Sequence, residues 1–91
     1  MPVEAKIIQW EQAGDHFPHI YFTLKNNTGN TVMANVTFEV VCEDSIRFTT
    51  FVNELINSGE IVHDRTFLST DQKTVSYVRV KKVGFLSTPK F

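Results

Sequence analysis

The 91-residue chain holds one cysteine, Cys42. An internal disulfide and a thiolate metal cluster are therefore both excluded. Four glycines are too few and too scattered for a phosphate-cradling loop. No run approaches the roughly 18 apolar residues of a membrane helix. The start, Met1-Pro2-Val3-Glu4-Ala5, has neither a basic leader nor an apolar stretch of signal-peptide length. These absences give the expectation of a cytoplasmic chain with no membrane contact. The formal net charge is −1, so no broad excess of one sign marks the whole chain for nucleic acid or for a basic partner.

What is present is an alternation of apolar and polar residues. Ile20, Phe22 and Leu24 fall on one side of an extended segment, and Tyr21, Thr23 and Lys25 on the other. Val36, Phe38, Val40 and Cys42 repeat the pattern, and Ile46, Phe48, Thr50 and Val52 follow it. A period of two marks half-buried β-strands, because successive side chains point to opposite faces of a sheet. Cys42 ends one such run and reads as a small buried hydrophobe. Eight phenylalanines and one tryptophan supply core volume.

Turn chemistry divides the alternation into six strands in one domain, residues 1–91. They run from Val3 to Glu11, Ile20 to Lys25, Thr31 to Cys42, Ile46 to Glu54, Ile61 to Leu68 and Thr74 to Phe85. Asn26-Asn27-Thr28-Gly29-Asn30 is the strongest turn signal, since Asn and Gly tolerate positive φ. Ala34-Asn35 suggests a bulge, and Leu55 to Glu60 a turn. A helical turn over 51–56 is the alternative there, because Phe51, Leu55 and Ile56 have helix spacing. The last strand carries Val75, Tyr77, Val83 and Phe85 on one parity and Val78 and Val80 on the other. That pattern suggests a central strand or one crossing between sheets. The expected fold is an all-β, immunoglobulin-like antiparallel β-sandwich of six to seven strands.

The segment Leu24-Lys25-Asn26-Asn27-Thr28-Gly29-Asn30, continuing through Asn35-Val36-Thr37-Phe38 to Val40, resembles the B–C region of small bacterial immunoglobulin-like modules of the FxLyD type. Phe67 to Tyr77 is similar to their later hairpin, with Thr70-Asp71 where Pro-Gly usually stands. Val40-Val41-Cys42-Glu43-Asp44 occupies the place of the naming motif. The resemblance spans about half the chain. It implies a sandwich fold and a non-catalytic binding or structural module, of a kind usually found outside the cytoplasm behind a leader.

Reactive constellations are sparse. Asp15, His16 and His19, with His63 and Asp64 from a distant strand, are the one set with metal-ligand chemistry. Pro18 prevents the helix that would align the two nearer histidines, and the bland reading is a polar loop. No serine sits in a strand-to-helix elbow. Glu43 and Asp44 adjoin at a solvated turn. Asn26-Asn27-Thr28 and Asn35-Val36-Thr37 match the glycosylation pattern and read as coincidences of a Thr- and Asn-rich β protein. No cofactor, metal or catalytic residue is therefore assigned.

Charge is uneven along the chain: −5 over residues 1–60 and +4 over residues 61–91. Arg79, Lys81 and Lys82 share the last strand with Tyr77 and Phe85. Arg47, Phe48 and Phe51 share an earlier one. Two readings follow. The first is a non-enzymatic protein-interaction or structural module. Its contact residues would be Trp10, Val41 and Phe51 as an apolar patch, with Ile8 as the alternative to Trp10, and Arg79, Lys81 and Lys82 as a basic edge. An open edge strand would also serve for homodimer formation. The second is a small β-barrel that binds single-stranded nucleic acid through the basic C-terminal strand, against which the slightly acidic total charge argues.

Overall fold

A computed structural model describes residues 1–12 and 17–87. The alternation becomes six strands: β1 (Val3–Gln12), β2 (Pro18–Asn26), β3 (Val32–Cys42), β4 (Arg47–Ile56), β5 (Ile61–Phe67) and β6 (Val75–Ser87). They form two antiparallel three-stranded sheets, ordered β1-β2-β5 and β4-β3-β6. No strand pairs across from one sheet to the other among the described residues, so the sheets stack as a sandwich and do not close as the barrel of the second reading. Among the described residues no helix is long and apolar enough to cross a membrane.

The core lies between the sheets. Val3, Ile20, Phe22 and Leu24 enter it from one side, and Val32, Ala34, Val36, Phe38, Val40, Ile56 and Val75 from the other. The Phe22 and Phe38 rings meet across the interface at 4.9 Å, tilted by 49°. Full burial of each such side chain contributes about 1.5–3 kcal/mol. Cys42 is buried here as expected, and burial pushes its thiol pKa up.

Polar groups weld one end of the sandwich. Asn26 is fully buried. Its Nδ2 donates to the carbonyls of Asn30 (2.7 Å) and Ile56 (2.9 Å), and its Oδ1 accepts from the Thr28 amide (2.9 Å) and hydroxyl (2.6 Å). Its amide donates to the Glu60 carbonyl, and its carbonyl accepts from the Gly59 amide. One side chain thus ties the β2–β3 turn to the β4–β5 turn. At the other end Gln12 clamps the β5–β6 loop. Its Nε2 donates to the Lys73 carbonyl, and its Oε1 accepts from the Val75 amide.

Several local expectations change. The strand at 47–56 runs through Leu55 to Ile56, which is completely buried, so neither a turn nor a helix begins there. The ladder passes Ala34-Asn35 without a shift, because Ala34 fills a core position. Bulges lie elsewhere. Ile8 in β1 is skipped between Ile7↔Phe22 and Gln9↔Tyr21. Ser76 and Lys81 in β6 are skipped in the pairing with β3. Each extra residue reverses the parity of the strand. This accounts for apolar residues on both parities of β6, which is an edge strand and not a central one. It also turns Trp10 inward against the core and leaves Ile8 outside.

Candidate interaction face

The outer face of the β4-β3-β6 sheet is built in rows by strand register. From one end these rows are Arg47–Val41–Tyr77, Thr49–Glu39–Arg79, Phe51–Thr37–Lys82, Asn53–Asn35–Gly84 and Leu55–Met33–Leu86. The bulge residue Lys81 sits beside the second and third rows. Four cations, Arg47, Arg79, Lys81 and Lys82, thus share this face with one acid, Glu39.

Glu39 is 3% exposed although it points away from the core. The long stems of its neighbours cover it while their charged heads stay in water. Arg47 Nη1 and Arg79 Nε each lie 2.8 Å from Glu39 Oε1, and Lys81 Nζ lies 3.6 Å from Oε2. Hydrogen bonding from Arg79, with its charge and with Arg47, outweighs burial and holds the Glu39 carboxyl below the usual carboxylate range. The carboxylate is ionised and capped, so it is a fixed structural charge. Arg47 and Arg79 each spend one N–H on it and keep further donors of their forks.

Apolar groups flank the cluster. Phe51 is 71% exposed, and the Leu55–Met33–Leu86 row, with Leu86 also 71% exposed, spans all three strands. Rows Glu39 and Met33 are six residues apart on β3, or about 20 Å. At Gly84 a Cβ would lie 2.8 Å from Asn35 Oδ1, so the glycine makes room for that side chain.

The sequence-based contact set is only partly brought together. Phe51, Arg79, Lys81 and Lys82 share this one face. Val41 lies on it too, but buried between Arg47 and Tyr77. Trp10 belongs to the other sheet and packs on the core, so it does not join the patch. Arg47, noted from sequence with Phe51, joins the cluster, and Glu39, not singled out from sequence, completes it. The signal was an acid at an outward position of the most apolar strand, and it gains meaning only from register.

The other candidates stay apart. His19 stacks on Phe67 at 5.6 Å, and His63 pairs with Thr23 four residues along β5, about 13 Å away. Asp15 and His16 lie outside the described residues. A shallow cavity of about 390 Å³ on the other sheet is lined by Ile8, Tyr21, Phe22, His63, Asp64 and Arg65. Glu54 on β4 and Asp64 on β5 both occupy inward positions, opposite Ala34 and Phe22. Hydrogen bonding with the Asp64 carboxyl, together with burial, pushes the Glu54 pKa up to about 7; Asp64 is held down by hydrogen bonding with Glu54 and from the Arg65 amide, against burial.

No protein-family model, curated protein or solved structure matches this chain at a significant level.

Proposed function

We propose that this chain is a non-enzymatic protein-interaction module that presents the outer β4-β3-β6 face to a protein partner. One observation carries the reading: four cations, an exposed Phe51 and an exposed aliphatic row share a single sheet face. Apolar area next to oriented charge is the composition of a recognition surface. The connectivity, with β2 between β1 and β5 and β3 between β4 and β6, supports an immunoglobulin-like assignment of the sandwich.

The contact is placed on the face and not at a strand edge. β1 and β6 carry bulges, and the edge strands β4 and β5 carry the inward acids Glu54 and Asp64. Both devices oppose edge-to-edge pairing, and so disfavour a homodimer built that way. A face-to-face homodimer would lay one cationic cluster near another.

A photo-cross-linking residue at position 51, compared with one at Ile8 on the opposite face, tests the reading in cells that make the protein. A discrete protein adduct from position 51, lost in Leu55→Asp, is expected. Adducts only from position 8, or none from position 51, would contradict it.

A further inference from the structure

We infer that Arg47 and Arg79 form a carboxylate-binding site, pre-set by Glu39, for an acidic segment of a protein partner. The inference rests on the reading that the β4-β3-β6 face is the interaction surface. Glu39 Oε1 fixes Arg79 through Nε and Arg47 through Nη1, both at 2.8 Å. Two planar guanidiniums on a shared acceptor cannot swing freely, and their remaining N–H groups form ready forks for a second carboxylate. The face keeps a charge of +3 after Glu39 is counted, on a chain of net −1. That surplus calls for an anionic occupant and disfavours a second copy laid on this face.

The surroundings favour acidic protein over nucleic acid. The aromatic side chains nearest the cluster, Phe51 and Tyr77, stand on opposite edge strands in the rows either side of Glu39, so they form no continuous platform for successive bases. The apolar row about 20 Å away is aliphatic, suited to Leu or Ile side chains and not to base stacking.

The test separates fixed forks from general attraction. Fluorescence anisotropy follows binding of a labelled glutamate-rich peptide and, separately, a labelled thymidine oligonucleotide, to the full chain. Glu39→Gln makes the face more positive but frees the guanidiniums. Arg79→Lys keeps the charge, removes the planar fork, and alters an exposed side chain. Each variant is expected to weaken peptide binding by about tenfold or more. Tighter peptide binding in Glu39→Gln, or unchanged binding in Arg79→Lys, would show attraction by charge alone and overturn the inference. So would tighter binding of the oligonucleotide than of the peptide by the unaltered chain. If position 51 cross-links to a protein but the peptide does not bind, the carboxylate site falls and the interaction face stands.

Discussion

Arg79 faces Glu39 across the β3–β6 ladder, with Nε 2.8 Å from Oε1, and that pairing depends on two bulges in one strand. Without the skipped Ser76, Val75 and Arg79 would share a face, and either the core or the cluster would lose its residue. The bulges are thus what lets β6 serve the interior and the charged surface together.

This pair should appear in the acid limb of stability. Glu39 and Asp44 both have folded pKa values below their ordinary ones, Asp44 chiefly through its hydrogen bond with Lys73 at 2.6 Å. A lowered carboxylate pKa contributes stability above the unfolded value of about 4, lost as pH falls through the folded one. Urea midpoints should therefore drop below pH 4, and less steeply in Glu39→Gln. An identical acid limb in that variant would count against the pairing.

Glu54 should act with the opposite sign. Its folded pKa of about 7 lies above the ordinary 4.5, so its contribution is full below 4.5 and lost as pH rises through 7. Between these values Glu54 carries a proton beside the ionised Asp64. Stability should decline from pH 5 to 8, and Glu54→Gln should flatten that slope. A slope unchanged by the substitution would remove the Glu54 proton from the account.

Asn26→Ala should be the costliest polar substitution. It deletes four side-chain hydrogen bonds, removes the side-chain donor from the buried Ile56 carbonyl and leaves the Asn30 carbonyl to the Thr28 hydroxyl. The expected loss is about 2–4 kcal/mol, read from denaturant unfolding. A loss below about 1 kcal/mol would mean that water replaces the network.

Gln72→Gly should stabilise. Asp71 (φ 52°) and Gln72 (φ 64°) occupy successive left-handed positions in a turn closed by the Lys73 amide on the Thr70 carbonyl, 3.0 Å. Glycine takes that conformation without the Cβ penalty, which is about 1 kcal/mol. Thermal unfolding should shift upward by a few degrees; a downward shift would show that the Gln72 side chain matters more than its backbone.

Much of the fold was legible in the sequence. The alternation at 20–25 and through Val36, Phe38, Val40 and Cys42 shows which faces turn inward, and the Asn-rich turn marks the corner between sheets. Bulges were not legible. Nothing in Ile7-Ile8-Gln9-Trp10 or Val80-Lys81-Lys82-Val83 says which residue will be skipped, because the choice depends on the partner strand. Trp10 was misplaced for that reason. The Glu39 cluster was hidden because its members come from three strands and meet only through register. Phe51 was legible as an outward residue and Arg79, Lys81 and Lys82 as a basic stretch of the last strand; that all four share one face was not.

The central claim is that recognition takes place on one sheet face, around the arginines gathered on Glu39. Backbone amide chemical shifts, followed while a glutamate-rich peptide is titrated in, test it most directly. Shifts concentrated at 37–41, 47–51 and 77–82 are predicted. Shifts confined to β1, β2 and β5, or no shifts at all, would contradict it.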